Sequence, residues 1–368
     1  MWTIFAKLAE DMAKKNSRKR RGSQQKPSKA AIIIIVLLVI AAVVYLYTVP
    51  REKWPEQVRA EVEKVEGDWG IKIGKQAEAT GTVAAVQAEE PEAPKAAATP
   101  KQTAPAPRWL ELPAGGNAGL THWATMGGRR QRNYTMLYDP SVYASYWVAY
   151  PLCAAHLGSG RTETWAYDPD IALDKQTKVS NGSYGVNFTG DLYSSNYYAR
   201  GHQIPNADRN GNDEMMAQTY YSTNMTPQIQ NGFNGGIWAK LEAGVRGMVP
   251  AGDTLYIVTG AAFRKAGGNE KVATIVSTRD GKTLPVPNYY WKAVLKVKRN
   301  ASGAITDAQT IGFWLPHKEF KQTPFTDFAV SVDQIEAWTG YDMFPGLPDT
   351  IENRCESNTS LSAFEAWK

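Results

Sequence analysis

Two neighbouring segments organise this chain: residues 198–209, YARGHQIPNADR, and residues 222–242, STNMTPQIQNGFNGGIWAKLE. The first closes a longer aromatic-rich run, 192–204, that ends at Pro205 and reads as an extended strand with His202 at its tip. Gly201, next to the histidine, lets another group approach the backbone closely. In the second segment, 232–246 carries Trp238, Ala239, Leu241, Ala243 and Val245 without a proline, so a helix is expected there. At about 100° per residue, Asn234, Trp238 and Glu242 would lie along one stripe of that helix.

Arg200, His202, Asn234 and Glu242 together offer a cation, a proton acceptor, an oxygen ligand for a hard metal and a carboxylate. That set suits cleavage of a phosphodiester. Each member taken singly has an ordinary alternative: a satisfied histidine, an Asn at a helix start, a core Trp beside it, a solvated Glu. The four histidines, His122, His156, His202 and His317, form no HxxxH or HExxH pair, which gives no support to a zinc site.

In their order and content these segments resemble the DNA/RNA non-specific endonuclease family. These are the sugar-nonspecific nucleases of the ββα-metal, or His-Me finger, class, to which mitochondrial endonuclease G also belongs. The likeness continues at 258–263 (VTGAAF), 284–295 (LPVPNYYWKAVL), 312–317 (GFWLPH) and 331–344 (SVDQIEAWTGYDMF), and spans roughly residues 118–350.

The resemblance implies a role for each matching residue. His202 is the general base, a proton transfer that typically contributes about 10²–10⁴-fold. Asn234 is the single direct protein ligand of Mg²⁺, with Mn²⁺ or Ca²⁺ as alternatives, in a site that leaves the ion most of its waters. Glu242 accepts hydrogen bonds from metal-bound water. Asn224 positions the base or the phosphate, and Arg200 supplies phosphate electrostatics. A second arginine is expected on a preceding strand; Arg161 stands two residues from the usual place, a shift that keeps the same strand face. DNA and RNA are the implied substrates. Two positions depart from the pattern. Ala199 stands where the family motif usually has Asp, which bears on rate more than on reaction type. The interval from Asn224 to Asn234 is one residue longer than usual, and Gly232 could absorb it.

The N-terminal third reads differently. Residues 30–49, AAIIIIVLLVIAAVVYLYTV, are an uncharged apolar run of 20 residues, long enough for a transmembrane helix contacting the lipid bilayer. Residues 1–29 form a basic tail, which predicts a cytoplasmic N-terminus and a catalytic domain outside the membrane, periplasmic or extracellular. A cleaved signal peptide is the competing reading. Residues 50–107 read as a tether, largely disordered beyond a short charged helix near 56–65, with an r.m.s. reach of roughly 40 Å. Residues 1–50 hold nine basic and two acidic side chains, a net +7; since the chain is +5, residues 51–368 carry −2. Any phosphate-binding surface must therefore be local, with Arg129, Arg130, Arg132, Arg161, Arg200 and Arg209 as candidates.

Residues 108–368 are expected to form one α+β domain, a central antiparallel sheet flanked by helices and carrying the ββα-metal motif. Strands are expected at 143–152, 254–260 and 289–298, and helices near 212–221, 232–247 and 331–339. Cys153 and Cys355 are the only cysteines, open to either a disulfide or two buried thiols. The competing functional class is a weakly active or non-catalytic nucleic-acid-binding surface module on the same fold, for which Ala199 is the only support.

Overall fold

The computed structural model describes residues 108–367 and, in a separate first unit, Glu56, Val58 and Arg59, which are helical. The expected transmembrane segment, the basic tail and most of the tether lie outside the described residues. Among the described residues no helix is long and apolar enough to cross a membrane.

Twelve strands and five α-helices build the second unit. The strands are β1 (Leu120–Met126), β2 (Arg129–Asp139), β3 (Ala144–Cys153), β4 (Asn187–Phe188), β5 (Asn196–His202), β6 (Met225–Ile229), β7 (Thr254–Ala262), β8 (Thr274–Val276), β9 (Thr283–Pro285), β10 (Tyr289–Arg299), β11 (Ile305–Pro316) and β12 (Ala329–Val330). The helices are α1 (Asp213–Gln218), α2 (Ala239–Gly247), α3 (Val332–Thr339), α4 (Asp349–Cys355) and α5 (Leu361–Ala366). Seven strands pair antiparallel in the order β1-β2-β3-β7-β10-β11-β12, so the α+β class with a central antiparallel sheet holds.

The three expected strands coincide with β3, β7 and β10. Their residue choice explains why: β10, YYWKAVLKVKR, lies between β7 and β11 and is buried along almost its whole length. Aromatic and β-branched side chains fit such a pleated, two-sided environment. Gly127 and Gly128 both have positive φ, 58° and 73°, and close the β1–β2 hairpin with the two-residue turn that suits strand twist.

Alternation along the strands splits the core in two. Val148, Tyr150, Ile257, Tyr290 and Val294 face one side and pack with Ile204, Phe233, Trp238, Leu241 and Val245. Trp147, Ala149, Val258, Trp291 and Ala293 face the other and pack with Val332, Ile335, Phe344 and Ile351. The β5–β6 hairpin and α2 thus belong to the first face, and α3 and α4 to the second.

The expected helix at 232–247 is only half right. Regular α-helix starts at Ala239; before it, residues 230–238 are tightly wound but broken at Asn231 (ψ 131°), Gly232 (φ 81°) and Gly236 (φ −124°, ψ −110°). Gly232 is needed both for its positive φ and because a Cβ there would press on the Phe320 backbone at 2.8 Å. The Gly236 break therefore takes Asn234 off the α2 stripe that carries Glu242, whereas Trp238, with α-helical φ −66° and ψ −46°, stays on it. Cys153 and Cys355 are both free thiols, which resolves that pair in favour of no disulfide.

Candidate active site

β5 pairs antiparallel with β6 so that His202 opposes Met225 and Tyr198 opposes Ile229. The chain leaves β6 at the Tyr198 end and passes through the wound segment into α2. At the far end of α2, Arg246 Nη1 donates to Asp208 Oδ1 at 2.7 Å, and Asp208 lies six residues beyond His202. The helix accordingly runs back along the hairpin toward the histidine's end. This is a ββα unit: two strands carrying His202 and a helical segment bearing Asn234 and Glu242.

Strand alternation puts Tyr198, Arg200 and His202 on one face of β5 and Ala199 and Gly201 on the other. Gly201 is required because a Cβ there would run into the Gln228 side chain. On the His202 face, Trp165 is the organiser. Its ring lies 3.5 Å beneath the Arg200 guanidinium carbon and 5.4 Å from the imidazole centroid. Tyr220 meets the imidazole edge-to-face at 5.2 Å and carries Arg161 over its own ring at 5.6 Å. Arg200 also donates to the Val179 carbonyl at 3.1 Å, so its head is fixed.

His202 differs from the other three histidines. His122 bonds Asp168 at 2.9 Å, and His156 Nδ1 accepts from the Cys153 N–H at 3.2 Å. His317 Nδ1 meets the Pro287 carbonyl at 2.7 Å while its Nε2 accepts from the Ile229 N–H at 2.8 Å. His202 Nε2 is sealed from solvent with no hydrogen-bond partner among the described residues. A buried polar nitrogen left this way is costly, and a ligand or water that pairs with it would relieve the cost. Burial, reinforced by Arg161 and Arg200, pushes the imidazole down to about 3, so it is neutral across the physiological range.

Arg161 reaches this group from an irregular loop and not from a strand, which corrects the sequence expectation. It is exposed, with Nε 3.1 Å from Glu163. The loop is held by the parallel bridge between Ala166 and Tyr221 and by Ser222 N–H donating to the Ala166 carbonyl at 3.0 Å.

Asn224 is placed differently from expectation. It is wholly buried: Oδ1 accepts from Ile204 N–H at 3.0 Å, and Nδ2 donates to the carbonyls of Ile204 (3.0 Å) and Thr219 (2.7 Å). Its amide is spent on backbone and sealed from solvent, so it fixes the chain just beyond His202 and does not face a phosphate. Beside it, Thr223 donates to Asp168 at 2.6 Å, so the His122–Asp168 pair supports the same turn.

Asn234 is half-buried, and its Nδ2 donates to Gln230 Oε1 at 2.8 Å. That bond orients the carboxamide and leaves its carbonyl oxygen as an available ligand. The half-buried Glu242 carboxylate is raised because burial strips its water; Lys292 and Arg246 oppose the shift and Asp208 adds to it. Lys292 is fully buried, donates to Thr259 Oγ1 at 3.0 Å, and sits 4.8 Å from the Trp238 ring centroid. Its pKa is lowered by burial and supported by Glu242. Neither group of His and carboxylate ligands that converges within 4.8 Å, His122–Asp168–Asp170 or Asp333–Glu336–Glu356, includes Asn234. The Asn234 carboxamide oxygen is the donor type that a small hard cation keeping several waters accepts.

Of the candidate phosphate-binding arginines, Arg132 and Arg209 are excluded. Arg132 is buried against Glu111 and stacked on Trp109 at 4.4 Å. Arg209 is buried and donates to Asn133 and to the Asp208 and Pro151 carbonyls. Arg129 and Arg130 are exposed on β2. A cleft of about 310 Å³ beside the wound segment is lined by Gln230, Gly235, Lys240 and Lys321 among others, and adds cations that the sequence reading did not single out. Trp165, Lys292 and His317 were also missed. Only Lys292 had a visible signal, a lysine in the middle of an apolar strand.

The fold and this site define a ββα nuclease. Residues 119–350 match the family model described as DNA/RNA non-specific endonuclease, and the chain belongs to that family. It is a nuclease that hydrolyses phosphodiester bonds. Among curated relatives, a nuclease of Nostoc sp. is 31% identical over 230 residues, covering 62% of this chain and 76% of the relative. The mitochondrial nuclease of Saccharomyces cerevisiae is 31% identical, covering 60% and 66%, and a nuclease of Serratia marcescens is 30% identical, covering 62% and 79%.

Proposed function

We propose that this chain is a divalent-metal-dependent endonuclease that cleaves DNA and RNA with little sequence specificity, anchored to a membrane through residues 30–49. The observation that carries the catalytic part is the neutral imidazole of His202, its Nε2 sealed without a partner, flanked by Arg200 and Arg161.

In this reading the neutral imidazole of His202, which is half-buried, uses its nitrogen that is not sealed to take the proton from the water that attacks phosphorus. Arg200, fixed by Trp165, and the exposed Arg161 attract the phosphate and stabilise charge on its oxygens. Asn234 would hold magnesium through its carboxamide oxygen, with Glu242 accepting hydrogen bonds from the ion's waters. Bound there, the ion supplies Lewis-acid stabilisation of the developing charge, including that on the leaving 3′ oxygen. Lys292 opposes, without cancelling, the burial that raises the Glu242 carboxyl. Recognition runs through the backbone, since indifference to base and sugar cannot rest on base edges. Ala199 is the one feature favouring a non-catalytic module, and it lies on the face of β5 opposite His202.

The membrane placement rests on the apolar run and the basic tail before it, with the nuclease domain outside the cytoplasm. Purified full-length chain in detergent, incubated with plasmid DNA and with RNA, should degrade both in magnesium and neither in EDTA. Binding without cleavage in magnesium would leave only the non-catalytic module. Cleavage that persists in EDTA would remove the metal from the reading.

A further inference from the structure

On the face of the sheet away from His202, α3 and α4 bring together a second group of acids. Asp333 and Glu336 lie in α3, and Glu356 caps the C-terminus of α4. The backbone holds them there: the N–H groups of Val332 and Asp333 donate to the Glu356 carbonyl at 2.9 and 3.3 Å. One carboxylate oxygen from each of the three lies within 4.8 Å of the others.

Acidic clusters are common on protein surfaces, but this one carries a second feature. Glu356 is only 4% exposed, and its Oε1 is buried with no hydrogen-bond partner. Among the described residues, no Lys, Arg or His forms an ion pair with Asp333, Glu336 or Glu356. Burial first, and then the carboxylates of Glu336, Glu352, Asp333 and Asp342, push the Glu356 pKa well up. A carboxylate at the negative end of α4 is unfavourable on the helix dipole as well. Folding thus brings three carboxyl groups together with one oxygen of Glu356 sealed in and, among the described residues, no hydrogen-bond partner for it.

We propose that Asp333, Glu336 and Glu356 form a calcium site that fastens the start of α3 to the end of α4, apart from the catalytic centre. The ligand type selects a hard cation, since all donors are carboxylate oxygens. Three carboxylates from two helices impose no octahedral frame, which suits calcium, with its six to eight loosely arranged oxygens, better than magnesium, which demands near-ideal octahedral geometry and keeps its waters. Asp333 is exposed and gives the ion its entry, while Glu336 keeps one oxygen on the Met343 N–H at 2.6 Å and offers the other. The role is structural: the ion clips the two helices that cover the second core.

The test is thermal unfolding of the full-length chain, stripped with EGTA, with and without about 5 mM calcium chloride, a concentration that fills sites as weak as about 10⁻³ M. Calcium should raise the wild-type Tm by several degrees. Glu356→Gln should melt no lower than wild type in EGTA, because the amide replaces a carboxyl that burial already disfavours as an ion, and should respond little to calcium. Asp333→Asn, at an exposed position, should fold normally and respond less than wild type. Asn234→Ala should keep the full calcium response, which separates this site from the catalytic metal. A wild-type Tm unmoved by calcium, a response retained in both Glu356→Gln and Asp333→Asn, or a response lost in Asn234→Ala would each overturn the proposal.

Discussion

Asn224→Ala tests the reassignment of that residue from phosphate contact to backbone clamp. The substitution deletes three buried hydrogen bonds, of 3.0, 3.0 and 2.7 Å, and strands the Ile204 N–H and the carbonyls of Ile204 and Thr219. Each stranded group costs about 1–3 kcal/mol when water cannot replace the lost partner. The three share one side chain and one turn, so the losses do not add fully, and about 4 kcal/mol is the expected total. For a domain of this size each kcal/mol lowers Tm by about 2–4 °C, which gives a drop of about 12 °C in calorimetry. Well below that melting point, kcat on plasmid DNA should fall modestly, since His202 loses the anchor two residues beyond it and keeps its own chemistry. The contrasting expectation, for a side chain that touches substrate, is an unchanged Tm with a kcat loss as large as that of His202→Ala. That outcome would refute the buried clamp.

His202→Ala should reduce hydrolysis by about 10²–10⁴-fold with near wild-type circular dichroism, because Nε2 has no protein partner to lose; retained full activity removes it from the mechanism. The structure also moves an expectation about pH. At its ordinary value near 6.5 the imidazole would protonate through the neutral range; held down to about 3, it stays neutral from pH 8 to pH 5. A kcat/KM limb in that range therefore belongs to Glu242, raised to about 7, and a limb near pH 6.5 that persists in Glu242→Gln contradicts the depressed histidine value. Stability follows the same sign. His156, His202 and His317 are pushed by burial to about 3, 3 and 4, so below about pH 6.5 the unfolded chain binds protons that the folded chain refuses. Burial raises Glu242, Glu336 and Glu356, which works the other way, so the readout is a difference. As pH drops from about 6.5 toward about 4, the Tm of His317→Asn should fall less, or rise more, than that of wild type, and parallel curves deny the His317 shift. Arg161→Ala, at an exposed loop position, should weaken binding of DNA and RNA alike and lower the salt slope by about one, with Tm unchanged; selective loss for one base composition speaks against backbone recognition. Asn234→Ala should raise the magnesium concentration needed for half-maximal cleavage, and an unchanged titration clears Asn234 of ligation.

Much of the strand content could be read directly. The runs that became β3, β7 and β10 are apolar and β-branched over lengths that strands favour, and pleat and burial select those residues locally. The likeness at YARGHQIPNADR and the following segment gave the family, since such motifs are contiguous in sequence. The helix after β6 was misjudged because 230–238 has helix-compatible apolar spacing, while the breaks lie in glycine dihedrals set by contact with Phe320. Arg132, Arg161 and Arg209 looked equivalent as letters. Burial alone divides them, sealing Arg132 and Arg209 in the core and leaving Arg161 on a loop.

The sequence by itself determined the antiparallel sheet's main strands, the family and the residue types for phosphodiester chemistry, because these depend on local pattern and on motifs carried by neighbouring residues. Only the tertiary structure decided that Asn224 faces inward, that Trp165 holds Arg200, and that, among the described residues, the other three histidines each hydrogen-bond through a ring nitrogen while His202 Nε2 is sealed without a partner. Those outcomes depend on which distant segments share a buried space, and hydrogen-bond satisfaction in that space is a property of the packed chain.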